Sequence, residues 1–533
     1  MGSGQFLKTG MLMKLIIRRD RLRFIIWLFG FLTMTILTAW AYKDLYASQA
    51  ERQQVASTME NPAITALLGP GFGLDNYTVG AMMAHQMLAI TLLIIAVMSV
   101  LLVVRHTRAE EEEGKIELIR ALPSGRLSNL TSTLLVMSMI YIILSLATGF
   151  GLYALGIESM SFNGSMLYGA ALGVTGLFFS ATTAFFAQLT QTSKGAVGLS
   201  FLLVGLSYLI RAIGDVVNDT ISWFSPFGWV LRSEVYVNNY WWPVMMTFLL
   251  SIVIVIIAMY LNSIRDLGAG FLPSKRGKRD AGALTKSHLG LTIRLQKTSI
   301  ISWAVVAYVF GATYGSVLGD TDTYFAEIEM MKEVMATQEG VSMTLQFITM
   351  IASIMAVLST IPAVMAVNKL RKEEKRNRTE QLLATALPRV KLFGNYILVA
   401  IFTSIITLGA GALGLSSAGA WVIEEDLTFM ELFNSIMVFL PASWIMIGVA
   451  SIFIGLGRLN SLGWIYLGFI FIVIYMGDLL QFSDAVRNIS AFEHVVDYPI
   501  ESFEFMSSLI LSVIAAVFMV FGLWLYRRRD VEG

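Results

Sequence analysis

The sequence predicts an all-α polytopic membrane protein of twelve transmembrane helices, arranged as two parallel six-helix repeats. Three observations predict it: the composition, the sorting of charge along the chain, and motifs that recur at half its length. Of 533 residues, 56% are hydrophobic and 14% charged, with a mean hydropathy of +0.69. An average soluble protein is roughly 45–50% apolar and about 25% charged. The 38 basic and 37 acidic residues leave a net charge of +1, so no global field attracts nucleic acid. Cysteine is absent, which removes disulfides, thiolate metal sites and cysteine nucleophiles. These numbers exclude a soluble globular enzyme, a disordered chain and a DNA-binding protein.

Windows of about 20 apolar residues place spans at 24–42, 80–104, 130–155, 163–188, 195–213 and 241–261, then at 299–317, 345–367, 393–418, 430–456, 462–478 and 506–526. Gly and Ser dilute 195–213 and 462–478. The gaps between spans are too short for a soluble domain. Residues 24–41 read as a span and not a cleaved signal, because the apolar run is long for a signal's core.

With both termini in the cytoplasm, 32 of the 38 basic residues fall on the inner side. The outer loops keep Lys43, Arg52, Arg211, Arg232, Lys332 and Arg487. Acidic residues go the other way, 13 inside and 24 outside. Positive charge retained on the cytoplasmic side orients a membrane protein, and adding or losing one span would scramble the sorting. The location implied is a membrane crossed many times, with the N- and C-termini cytoplasmic.

The repeat follows from spacing. Arg108-Ala-Glu110-Glu111 and Arg371-Lys-Glu373-Glu374 follow the second and eighth spans, 263 residues apart. The triplets Ala121-Leu122-Pro123 and Ala386-Leu387-Pro388 are 265 apart. Ser225-Pro-Phe227 matches Ser490-Ala-Phe492, and Arg265-Asp266 matches Arg529-Asp530, each before or after the last span of its half. Trp27 and Trp303 mark the opening spans. An even number of spans per half makes the repeat parallel, with its axis along the membrane normal. The chain then reads as a first six-span half (1–262), a basic cytoplasmic linker (263–286) and a second six-span half (287–533).

Residues 6–23 and 288–298 mix apolar side chains with Lys and Arg. That pattern suits helices lying in the inner interface ahead of the first span of each half. The loops 105–128 and 368–391 are charged helix formers stopped by proline. One such charge run reads as a solvated helix face; its recurrence in the same inner loop of both halves points to a partner that grips both.

The Glu-Glu…Glu-Leu-Ile-x-Ala-x-Pro pattern of the first loop resembles the coupling-helix loop of bacterial ABC-transporter permeases. The Ser-Pro-Phe and Arg-Asp elements around the sixth span resemble the same group. Two six-span halves in one chain are similar to permeases known as exporters of polyketide antibiotics, related to tetronasin-resistance permeases. The resemblance covers nearly the whole chain, although the second copy departs from it by a two-residue indel and by Gln381. It implies an elbow helix, a coupling helix and re-entrant helices before the last span in each half. Segments 214–240 and 479–505, partly apolar outer loops, are the places for the re-entrant helices.

The resemblance further implies a transport subunit and not an enzyme, with ATP and Mg bound by a separate ABC ATPase, two copies per chain. The ATPase-coupling residues would be Glu110, Glu111, Glu117, Ala121, Leu122 and Pro123, with Glu373, Glu374, Glu380, Ala386, Leu387 and Pro388. No G-x-x-x-x-G-K-[ST] loop and no zinc spacing among the 4 His occur in this chain, so no catalytic or metal residue and no directly bound cofactor is expected. The remaining partners are membrane lipid and a hydrophobic or amphiphilic small molecule, a drug, antibiotic or lipid-like compound. Polar residues inside spans are candidates for a pathway: His85 and Gln86 in span two, and Gln346 in the equivalent span eight. Arg211 and Asp215 read as a structural pair. The rival reading is a major-facilitator secondary carrier, which shares twelve spans but predicts a different, Gly- and Arg-rich loop after span two. A membrane enzyme has no supporting cluster.

Overall fold

The computed structural model describes residues 3–60, 62–121, 123–272, 280, 282–320, 341–375, 377–385, 387–423, 427–457, 462–476 and 482–529. All regular elements among them are helical. The chain divides into two compact units, Met1–Arg276 and Gly277–Gly533, each with its own apolar core.

In the first unit the long helices are α1 (Thr9–Leu45), α4 (Val79–Val104), α6 (Ser128–Ala154), α7 (Phe162–Leu189), α8 (Ser193–Val217) and α11 (Trp242–Ile264). Shorter ones lie between them: α2 (Gln49–Met59), α3 (Pro62–Leu68), α5 (Lys115–Arg120), α9 (Asp219–Ser222) and α10 (Pro226–Leu231). The second unit has α12 (His288–Gly315), α13 (Met343–Glu374), α14 (Arg378–Leu383), α15 (Arg389–Gly419), α16 (Phe429–Met437), α17 (Leu440–Leu456), α18 (Leu462–Met476), α19 (Asp484–Arg487) and α20 (Phe505–Arg528).

Eleven helical stretches among the described residues are long and apolar enough to cross a membrane. The eleventh span expected from sequence, 462–478, corresponds to α18, whose 15 described residues adjoin residues outside the description at both ends. The expected span at 430–456 is two helices in series. Pro441, in the first turn of α17, lacks the N–H that would continue the ladder from α16.

Packing repeats between the units. In the first, α1 lies along α6 and α7 along α11; in the second, α12 lies along α15 and α17 along α20. Close approach depends on small residues, since apolar lipid gives helices no hydrophobic reason to associate. A Cβ placed on Gly311 of α12 would run into the Gly411 carbonyl of α15, and one on Gly414 into the Tyr308 carbonyl. Leu, Ile, Phe and Val side chains face outward along these helices, as at Ile25, Ile26, Phe29, Ile252 and Ile256.

In the first unit a kink at Asp20 (φ −112°, ψ 16°), where the backbone leaves the helical region, separates the basic, amphipathic segment of α1 from the first span; in the second unit α12 runs from His288 to Gly315 with no such break. Asp20 is buried and held by Arg23 at 2.6 Å, Arg105 at 3.0 Å and His106 at 3.0 Å. A carboxylate inside a helix at this depth persists because three cationic or N–H partners surround it. Counted from the tryptophans, α12 carries the buried Gln296 at the corresponding place.

Candidate functional site

The most heavily engineered part of each unit is where the second span turns into the short charged helix. In the first unit α4 passes through a π-turn, Arg105–Ala109, then Glu110–Glu112, a left-handed Gly114 (φ 72°), and α5. In the second unit α13 runs unbroken to Glu374, and Asn377 (φ 55°) turns the chain into α14. Gly114 and Asn377 occupy the same place, 263 residues apart. Both are residue types that tolerate left-handed backbone.

Behind each turn lies a buried clamp. Glu111 accepts two bonds from Arg265, at 3.0 Å and 2.8 Å, one from Arg108 at 2.7 Å, and one from the Gly268 N–H at 2.6 Å. Arg108 also donates to the carbonyls of Thr190, just past α7, and Ala269. Arg126 donates to the Arg265 carbonyl at 2.6 Å. The second unit repeats the residue pairing. Glu374 accepts two bonds from Arg529, at 2.5 Å each, and one from Arg371 at 3.1 Å. Arg371 reaches the carbonyl of Gly457, just past α17, at 3.2 Å, and Arg389 donates to the Arg529 carbonyl at 2.8 Å. Tyr526 adds its hydroxyl to Glu374 at 2.9 Å.

Each clamp therefore ties four things together: the end of the second span, the end of the fourth, the start of the third, and the end of the last. A buried carboxylate with this many charge-assisted donors is well compensated. Glu110 and Glu373 make a second, outer pair of contacts: Glu110 with Arg19 and His106, Glu373 with Lys369 at 3.2 Å and Arg378 at 3.1 Å.

The residues singled out from the sequence thus separate into two sets. Glu110, Glu111, Glu373 and Glu374 have side chains at most 8% exposed, and they face inward. Glu117, Ala121, Pro123, Glu380 and Pro388 are exposed, whereas Leu387 is buried. Leu122 and Ala386 lie outside the described residues. The outward face also carries Leu118, 73% exposed, with Ile116 buried beneath it. Sequence reasoning takes Arg265 and Arg529 only as markers of the repeat; the structure makes them the clamp's principal partners. It takes Arg108 and Arg371 likewise only as part of the repeated motif, and Arg126 with Arg389 are not singled out by it, although that pair also recurs at a spacing of 263.

A groove of about 360 Å³ opens beside the first clamp, between α4 and α8. Leu101, Val104 and Val197 form its apolar wall, and Arg19, Arg105 and Glu113 its polar rim. In the second unit, Trp303, Phe310, Met355 and Leu358 line an apolar pocket of about 110 Å³.

A family profile described as "Multidrug efflux system permease Rv1217c, C-terminal domain" matches residues 12–261 and 286–527, one stretch in each unit. The multidrug efflux system permease protein Rv1217c of Mycobacterium tuberculosis is 30% identical over 543 aligned positions, spanning 100% of this chain and 96% of the relative. The chain belongs to this permease family.

At the other end of this permease's α4, His85 and Gln86 are held by neighbours. Tyr77, fully buried, lies with its hydroxyl 2.9 Å from His85 Nδ1, and His85 Nε2 is 3.1 Å from the Gly69 carbonyl. Burial pushes the Tyr77 phenol up, which keeps it a protonated donor and assigns the imidazole proton to Nε2. Tyr42 donates to Gln86 at 2.6 Å. Gln346 donates to the Val341 carbonyl at 3.2 Å, beside the start of its own helix. Arg211 is buried, 3.4 Å from Asp215, and donates to the carbonyls of Thr65, Ala66 and Leu67. Asp215 also receives Ser222 and Arg232. This network fastens α3, α9 and α10 to α8. The segment expected to hold re-entrant helices contains α9 and α10 in the first unit and α19 in the second; Ser225 caps α10, and Ser490 accepts from Phe492 N–H in the same way.

Proposed function

We propose that this chain is the membrane-spanning permease of an ATP-driven ABC exporter, carrying hydrophobic or amphiphilic compounds outward across a bacterial cell membrane. Two copies of a separate ATPase, which bind ATP and Mg, would dock on α5 and α14, on the cytoplasmic side with both termini. The observation that carries the reading is the clamp built twice. A short helix exposed on one face and bonded through its root to three spans is suited to receive a push and pass it into the bundle. Packed helices with fixed polar anchors move as units and do not deform continuously.

In this reading the buried acids transmit and the exposed residues dock. Glu111 and Glu374 fix the roots; Glu117, Leu118, Ala121, Pro123, Glu380 and Pro388 meet the ATPase. The relative's name, a multidrug efflux permease, supports export of drug-like compounds, and the amphiphilic groove beside α4 and α8 suits such ligands. The twelve-span count, with α18 as the eleventh crossing, and the kinship with polyketide-antibiotic exporters belong to the same proposal.

The test is copurification. The tagged full-length chain, coexpressed with a Walker-A ABC ATPase of its host, retains that ATPase through detergent purification. Replacing both Leu118→Asp and Gln381→Asp releases it. A chain that transports a drug on a proton gradient with no ATPase present would replace this reading with the secondary-carrier one.

A further inference from the structure

The two clamps differ in charge balance. In the first unit Arg108, Arg120, Arg126 and Arg265 line one polar cavity, and Glu111 is the sole carboxylate among its lining residues. Glu111 is already engaged by Arg265 and Arg108. Arg126 directs one amino group to the Arg265 carbonyl. Arg120 makes no hydrogen bond or ion pair among the described residues. Arg108, whose side chain is 1% exposed, leaves Nε without an acceptor. Burial and the like charge of Arg126 hold the Arg120 guanidinium below its ordinary range.

The second unit differs in the residues at this place. Tyr526 stands where the first unit has Asn262, and its hydroxyl donates to Glu374. Thr385 stands where the first has Arg120, counting back from the Ala-Leu-Pro triplet. The first clamp thus gathers four arginines around one carboxylate, one more than the three (Arg371, Arg389, Arg529) around Glu374 in the second. Unpaired cationic charge in a partly buried site is unfavourable, and a missing anion is the direct remedy.

We propose that this cavity beneath α5 is an anion site for a phosphate group, carried either by an anionic lipid headgroup or by free phosphate. The cavity volume is about 30 Å³, and a buried water needs roughly 10–15 Å³ on that measure. That is room for about two waters, and because the cavity is open on one side a tetrahedral oxyanion would be held at its mouth. Guanidinium forks match phosphate oxygens in pairs, and basic pockets between membrane helices take lipid phosphates. An anion held by Arg120 and Arg126 would join α5 directly to the start of α6.

The site is tested with the full-length chain, independently of any ATPase. Protein in neutral detergent is titrated with inorganic phosphate, against chloride at matched ionic strength, and the thermal unfolding midpoint is read. The same chain is placed in nanodiscs of phosphatidylcholine with or without phosphatidylglycerol. The midpoint rises with at least one phosphate source, and Arg120→Gln weakens the response by about tenfold or more, the worth of one charged contact. Arg378→Gln, an exposed arginine of α14, leaves it unchanged. A response to free phosphate assigns the free ion; a response to phosphatidylglycerol alone assigns the headgroup. Should Arg120→Gln fold poorly, Arg120→Lys keeps the charge without the fork and is expected to bind more weakly than the parent. No response to either source, or an undiminished response in both variants, overturns the proposal.

Discussion

Glu374 and Arg529 meet in two bonds of 2.5 Å across 155 residues of chain, and Glu111 and Arg265 meet the same way across 154. Such a pair is costly to break and cheaper to replace whole, because a lone survivor is a buried, uncompensated charge. Glu374→Leu is expected to cost about 3–5 kcal/mol. Glu374→Leu combined with Arg529→Met should cost clearly less than the sum of the single changes. Thermal midpoints of the four proteins in one detergent measure the coupling; additive losses would show that the two residues do not act as a pair.

The exposed face of α5 should behave oppositely. Leu118→Asp removes no buried contact, so stability should stay within about 0.5 kcal/mol of the parent. Transport and ATPase retention should fall. A variant that unfolds would mean Leu118 packs against the permease itself; one that folds and transports normally would remove α5 from the docking surface.

The α12–α15 contact gives a packing prediction. Gly311→Leu forces a side chain into backbone of α15, and overpacking of this kind costs typically about 1–3 kcal/mol or more. Gly30→Leu, in α1, with open space around its Cα, should cost little. Unfolding midpoints of the two variants compare them directly.

His85→Leu strands the Tyr77 hydroxyl and the Gly69 carbonyl, and each buried polar group left unsatisfied costs about 1–3 kcal/mol. Loss of stability with an unchanged range of exported compounds identifies an anchor. A selective change in which compounds are exported, at unchanged stability, identifies a pathway residue.

Much of this molecule is legible in its sequence because a membrane protein writes its long helices as apolar runs and a duplication writes each part twice. The long spans and the two charged loops follow from that. What the sequence concealed is depth. Glu110 to Glu113 read as one charge run, yet Glu110 and Glu111 are buried at the root of the turn while Glu112 and Glu113 face water, and in the first unit a π-turn at Arg105–Ala109 precedes them. No periodicity marks such a turn. Arg126 and Arg389 acquire meaning only when the last span returns beside them. Tyr526 reads as one more apolar residue near a helix end until its hydroxyl is seen on Glu374. The break at Pro441 was available from the proline alone.

The central claim is that ATPase motion enters through the two clamped helices. Its most direct measurement is ATP-driven accumulation of a fluorescent amphiphilic drug in inverted proteoliposomes holding the chain and its ATPase. Accumulation should require ATP, persist without a proton gradient, and collapse in Glu111→Gln with Glu374→Gln while the ATPase stays bound and hydrolyses ATP. Accumulation by the chain alone on a proton gradient, or full ATP-driven accumulation with both clamp glutamates replaced, would contradict the account.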